Sequence, residues 1–228
     1  VLGAIAIIPS APLLVPQLAG TAAAEVADLR EAVITAAASL PAHWIAVGSG
    51  RSDGVVGPES AGTFAGFGVE LPVRLSPHAP RRPGALPLCA LITAWAREQA
   101  QPHARAEVRV YADDHHVDAA MARGRRLRTE IDQLVEPTGV LIVADGANTL
   151  TPAAPGGYHP GDVDVQLALD DALACGDTAA LTRLPAQVVG RVPFQVLAGL
   201  AEPAPRSAKE LYRGAPYGVG YFAGVWQP

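Results

Sequence analysis

The sequence predicts an α/β protein: a three-layer α/β/α arrangement with a mainly parallel central sheet, in one domain spanning residues 1–228. Three observations carry that expectation. Short apolar, β-branched runs alternate with longer amphipathic ones along most of the chain. Pro and Gly clusters punctuate the joins. The chain is 50% hydrophobic and 17% charged, so a sizeable core is available to its 228 residues.

Leu2 to Ile8 reads as a first strand, and Pro9-Ser10-Ala11-Pro12 turns the chain because two prolines fix φ and cannot donate to a ladder. Thr21 to Leu40 is predicted helical, with Val26, Leu29, Val33 and Ile34 on one face, Thr21 as cap and Pro41 as stop. His43 to Val47 is a second strand that runs into a Gly-rich loop, and Val69 to Leu75 a third. Ser76 to Pro87 is a Pro-rich loop. Leu86 to Gln99 is a helix carrying Leu88, Leu91, Ile92 and Trp95. Ala106 to Tyr111 is a strand, and Val117 to about Leu134 a helix, with Asp113 or Asp114 as its cap. Gly139 to Ala144 is a buried strand. Helices follow at Asp162–Ala174, capped by Gly161-Asp162, at Thr178–Leu184, and at Val188–Leu200 with Pro193 near its first turn. Glu210 to Trp226 closes the chain as extended structure bent at Pro216 and Gly218.

The formal net charge of −5 and the lack of a sustained basic stripe argue against general nucleic-acid affinity. Arg123-Gly124-Arg125-Arg126 with Arg128 reads as a solvated helix face. Cys89 and Cys175 each lie in a predicted helix without a Cys-x-x-Cys partner and read as buried free thiols of a reducing compartment. The opening stretch, Val1 to Pro16, is apolar but has no charged leader, and prolines break it, so it is too short to span a membrane. A cytoplasmic protein without membrane contact is expected. Gly48-Ser49-Gly50 is not a nucleophile elbow, and no dinucleotide or P-loop glycine pattern occurs in the required context.

In open α/β sheets ligands sit outside the carboxyl ends of strands. The strand ending at Ala144 passes into Asp145-Gly146 and a turn-rich loop reaching Tyr158, which makes that loop the first place to look for chemistry. Its Asp145, Leu150, Thr151, Pro152, Ala154, Pro155, Gly157 and Tyr158 fall in register with the Asp-Leu-Ser-His-x-Leu-Thr-Pro-x-Ala-Pro-x-Gly-Tyr loop of the class III extradiol ring-cleavage dioxygenases. Pro216-Tyr217-Gly218-Val219-Gly220-Tyr221 resembles that family's C-terminal run, and Gly62 to Gly68 its Gly-Asp-Phe-x-x-Phe-Gly. The chain therefore resembles, from Pro9 to Tyr221, the catalytic-subunit superfamily that also holds the LigB-like and Memo-like proteins.

The resemblance implies an Fe(II) site of two His and one carboxylate, with an acid/base His beside it. Here Ser10 stands in the first His position, Arg51 in the second, Gly214 (or Arg213, one residue earlier) in the carboxylate position, and Asn148 in that of the acid/base His. A guanidinium has no lone pair to give a metal, and an amide has no proton to exchange near neutral pH. No catalytic residue, no metal ligand and no cofactor are then expected. The favoured reading is a degenerate member acting as a binding or interaction module, its pocket of Ser10, Ser49, Arg51, Asp145, Asn148 and Thr149 holding a small anionic ligand. In a second account of the same residues Arg51 merely pairs with Asp145, Asp53 or Glu59. The alternative class is an active ring-cleavage dioxygenase that binds Fe(II) at a relocated site drawn from Asp113, Asp114, His115, His116, Asp145 and His159. A protein partner, or self-association through Tyr221 to Trp226, stays open beside these.

Overall fold

A computed structural model describes residues 1–228. β1 (Leu2–Ile8) leads through a 3₁₀ turn and a one-turn α1 (Pro16–Ala19) to α2 (Ala27–Ala38), β2 (His43–Gly50) and β3 (Gly54–Val56). A small excursion, β4 (Ala61–Thr63) and β5 (Pro72–Arg74), precedes α3 (Leu88–Ala100), β6 (Arg105–Ala112), α4 (Val117–Asp132) and β7 (Thr138–Val143). Then come α5 (Asp162–Cys175), α6 (Thr178–Leu181), α7 (Arg191–Leu200), β8 (Ser207–Gly214) and β9 (Tyr221–Gln227).

Seven strands form one sheet in the order β3-β6-β2-β7-β1-β9-β8. Its centre is parallel: β6, β2, β7 and β1 run the same way, Ile5 lying opposite Val140 and Val47 opposite Ile142. The flanks are antiparallel, with β3 on β6, β9 on β1 and β8 on β9. The sheet is therefore mixed and not mainly parallel. The reason lies in the connections: β3 follows β2 through a three-residue turn and β8 joins β9 through a six-residue loop, and neither leaves room for a crossover helix.

Strand alternation divides the core in two. Ala4, Ala6, Ile8, Leu141 and Val143 point to one face, where α2 and α3 supply Leu29, Val33, Ile92 and Trp95. Ile5, Ile7, Val140 and Ile142 point to the other, covered by α4, α5 and α7 through Leu127, Leu173, Val196 and Leu200. Burial on both faces is what the continuous apolar runs of β1 and β7 signify. Trp226, fully buried, anchors β9 to α5 by donating its indole N–H to the Leu173 carbonyl at 2.8 Å.

Several elements depart from the sequence reading. The helix expected from Thr21 begins at Ala27, because Gly20, at φ +56°, and a 3₁₀ turn over Gly20–Ala23 occupy its first turns. The strand expected over Val69–Leu75 shrinks to Pro72–Arg74 and pairs with β4 outside the main sheet. The Gly-rich loop contains the unexpected β3. The α4 cap position is His116, and neither Asp113 nor Asp114 caps the helix. The last helix starts at Arg191, three residues late. Cys89 is buried as expected, but Cys175 is exposed at the end of α5. The basic cluster on α4 is only partly a free solvated face: Arg123 pairs with Asp53, Arg125 with Glu202 and Arg128 with Asp132. No helix is long and apolar enough to cross a membrane.

α4 and α7 touch backbone to backbone. A Cβ on Gly124 would stand 2.1 Å from the Val196 carbonyl oxygen, and one on Gly199 would stand 2.2 Å from that of Met121. Rigid helix backbone cannot yield as a side-chain tip can. Gly124→Ala is therefore expected to destabilise the fold by about 1–3 kcal/mol, although alanine is the better helix former by about 1 kcal/mol. Urea unfolding of both proteins would read this as a lowered midpoint at unchanged slope; an unchanged or raised midpoint contradicts the close approach.

Candidate functional site

The carboxyl ends of β1, β2, β6, β7 and β8 lie along one edge of the sheet, and β9 starts there. The loop leaving β7 is the centre of that edge. It is held on one side by the segment before β9: Gly146 N–H donates to Gly220 O at 2.8 Å, Gly220 N–H to Ala147 O at 2.8 Å, and Leu150 N–H to Gly218 O at 3.0 Å. On the other side Gly190 N–H donates to Asp145 O at 2.8 Å and Val189 N–H to Gly146 O at 3.2 Å. The two segments that carried the family resemblance are thus hydrogen-bonded neighbours.

Asp145 sits where β1 and β7 end side by side. Its Oδ1 accepts the Ser10 backbone N–H at 2.8 Å. Protein surrounds the carboxyl closely, though one edge keeps some solvent contact, and burial pushes it up to about 6 against that single hydrogen bond. Tyr221, buried at the start of β9, lies close enough to feel it. Burial raises the phenol, and the Asp145 and Tyr212 charges raise it further.

The other expected site residues are dispersed along the edge. Ser49 lies near the end of β2, opposite Tyr111 of β6. Arg51 follows β2, is exposed, and forms no ion pair. Two of the three acids considered as its partners are engaged elsewhere, and the third, Glu59, forms no ion pair with it. Asp145 faces Ser10, and the Glu59 carboxylate lies against Gly57. Asp53 takes the Ala112 N–H at 2.8 Å, the His115 Nε2 at 2.7 Å and Arg123 Nη2 at 2.5 Å. Partial burial pushes the Asp53 carboxyl up, but the Ala112 N–H, the His115 ring and the Arg123 guanidinium outweigh it and hold the group below its ordinary value. Asn148 packs its amide against Gly156, whose N–H donates to the Asn148 carbonyl at 2.9 Å. Thr149 is buried and turned into the protein, its hydroxyl donating to Asp162 Oδ2 at 2.6 Å.

The residues present do not suit the iron site that the resemblance implies. Gly214 brings no donor atom, Arg51 brings a cation, and Arg213 is bound to Glu210 and Asp171 at 2.7 and 2.8 Å. Nor do the candidates for a relocated site converge: no three His, Cys, Asp or Glu side chains stand in a metal-holding arrangement. His115 faces Asp53, His116 starts α4, and His159, Asp113 and Asp114 are exposed at the surface.

Two networks were missed in the sequence. One is the Asp53 cluster, extended by Arg123 lying 5.3 Å over the Tyr111 ring. Arg191, at the start of α7, ties it to the β7 loop by donating to the His115 carbonyl at 3.1 Å. The other runs along α5. Gln166 Oε1 accepts the Ala147 N–H, and its Nε2 donates to Asp170 Oδ1, both at 2.8 Å. Its signal was legible: Asp162, Gln166 and Asp170 recur every fourth residue, a polar stripe on one helix face.

The chain is an α/β protein with helices on both faces of a mixed seven-stranded sheet and its polar loops gathered at one sheet edge. No protein-family model matches it, and no curated protein does. Among solved structures it is similar to the uncharacterized protein JW3007 from Escherichia coli K12, with a TM-score of 0.61 at 10% identity over 99% of this chain and 100% of that one. That likeness is one of fold.

Asp145 provides a sign test of the site's polarity. Its folded value of about 6 lies above the ordinary 3.8, so the folded state favours the protonated form. Its cost to stability is fully present above pH 6 and fades as pH falls towards 4. The interval between those values sets an upper bound of roughly 3 kcal/mol, and solvent at the exposed edge reduces it. Asp145→Asn keeps an oxygen to accept the Ser10 N–H. It is expected to stabilise the protein by about 1–2 kcal/mol at pH 7.5 and by nothing measurable at pH 4, read by chemical unfolding at both pH values. A variant less stable than the parent at pH 7.5 would show that the carboxylate is favoured in its setting.

Proposed function

We propose that this protein is a LigB-like or Memo-like member of the class III extradiol dioxygenase superfamily that has lost ring cleavage and binds a small anionic ligand at the sheet edge. The family assignment rests on the loop from Asp145 to Tyr158 and the run from Pro216 to Tyr221, and it is supported by their direct hydrogen bonding to each other. The observation that carries the anion reading is Arg51. It stands at the end of a central strand with no carboxylate on it, while Asp145 and Asp53, two of the acids considered for that role, are hydrogen-bonded to other donors. A guanidinium left free at such an edge offers a planar fork of donors suited to a carboxylate or phosphate group. Asp145 works against this near neutral pH, where a carboxyl pushed up to about 6 is mostly charged, and the opposition fades as pH falls below 6. Ser49 adds a neutral hydroxyl on the same strand end, and Ser10 another after β1, on the far side of β7.

The chemistry required of the protein is recognition, with no redox step. Calorimetric titration with inorganic phosphate and with acetate tests it. Binding by the parent protein should weaken at least tenfold in Arg51→Ala, and an exposed residue without partners should leave the unfolding midpoint where it was. It should weaken far less in Arg51→Lys, which retains the charge and loses the fork. Equal binding by the parent and Arg51→Ala, or no anion binding by the parent, sinks the proposal.

A further inference from the structure

A cavity of about 330 Å³ lies beside the β7 loop, between α5 and the end of β8. Its mouth is apolar. Val163 and Leu167, one helical turn apart on α5, are 40% and 49% exposed there, and Leu150 lies opposite on the loop. Its floor is polar and negative. Asp170 lines the cavity and is only 4% exposed. One of its oxygens accepts from Gln166 Nε2 at 2.8 Å, and Gln166 is itself satisfied by Ala147. The other oxygen, Oδ2, accepts no hydrogen bond from the protein. That oxygen is not a buried orphan: it faces the cavity, where a ligand's donor takes the place of water.

The nearby charges do not supply it. Arg213 lines the same cavity, but Glu210 and Asp171 hold its guanidinium at 2.7 and 2.8 Å. Counting Asp170, three carboxylates surround one cation, and the cavity is left with surplus negative charge. Leu150 and Thr151 on the loop add none. We propose that this cavity binds a small molecule with an apolar body and a protonated amine, the amine donating to Asp170 Oδ2 and the body resting on Val163, Leu167 and Leu150. The inference is independent of the anion reading at Arg51: it concerns other residues and the opposite charge, and Arg51→Ala should leave it unchanged.

Burial pushes the Asp170 carboxyl up to about 6; Gln166 and the Arg213 charge work against this, while Glu210 and Asp171 add to it. At pH 7.5 the carboxylate is charged and ready for an ammonium group. As pH falls through 6 it takes up a proton, and amine binding should fade.

The probe is cyclohexylmethylamine, with cyclohexanecarboxylate as the control of opposite charge, each titrated into the whole protein at pH 7.5 and followed by amide chemical shifts. Saturable amine binding that shifts α5 residues, without saturable carboxylate binding, is the expected result. Asp170→Asn still offers Gln166 an acceptor and should weaken amine binding at least tenfold. Leu167→Arg, a change at an exposed position that sets a cation in the mouth, should do the same. It decides the matter alone if Asp170→Asn fails to fold. The proposal is overturned if the amine does not saturate the parent protein, if the carboxylate binds as well, or if a folded variant binds the amine as the parent does.

Discussion

The backbone of the β7 loop depends on a pairing that no strand provides. After Val143 the chain leaves the parallel sheet, and its peptide groups would be buried without partners had two distant segments not met them. Gly218 to Gly220 takes three of those bonds and Val189–Gly190 takes two. The glycines make the approach possible. A Cβ on Gly146 would fall 2.0 Å from Gln166 Oε1, and one on Gly220 would fall 2.1 Å from Gln166 Cδ and Oε1, so the amide is wedged between two bare backbones. From that wedge Gln166 serves Ala147 on one side and Asp170 on the other. One constraint thus fixes the loop, the start of β9 and the orientation of α5, and with them the cavity beside α5.

Under the proposed family assignment the residues at the metal positions acquire a physical meaning. A metal centre asks three donors with lone pairs to face a cation. Ser10, Arg51 and Gly214 would bring a hydroxyl, a guanidinium and no side chain, which together favour negative charge or none. The one carboxyl at the junction, Asp145, is pushed towards its neutral form by burial, and no cation stands beside it to reverse this. The edge from β1 to β2 therefore sets neutral hydroxyls and one unpaired guanidinium beside a single carboxyl whose charge burial disfavours.

Local patterning made much of this fold legible in advance. The runs at Leu2–Ile8 and Gly139–Ala144 are apolar on both faces, and both are central strands. What escaped the sequence reading depended on distant contacts. β3 is a strand only because Val110 and its neighbours on β6 offer it a ladder. Pro72 lacks the N–H a central ladder needs, which suits β5 to a separate two-stranded sheet. Asp53 reaches His115 across 62 positions, and nothing in either neighbourhood announces the pair. The antiparallel flanks were missed because strand direction follows from loop length and not from strand composition. The residues of the β7 loop were identifiable by resemblance, but the direction of their side chains was not. Thr149 turns inward to Asp162, and only the repeat of polar residues along α5 hinted that a partner waited there.

Two proposed binding regions of opposite sign at one sheet edge raise the question of coupling. β2 and β8 are four strand intervals apart in the sheet order, roughly 19 Å at the usual interstrand spacing. At moderate ionic strength direct charge–charge attraction over that distance is largely screened. Mechanical coupling needs an element with two arrangements whose balance both ligands shift. The β7 loop is poorly suited to that part, since moving it would break five backbone hydrogen bonds to two other segments and dislodge Gln166 from between its glycines. The architecture thus favours two sites that fill independently. A loop so firmly tied serves as the shared rigid wall of both.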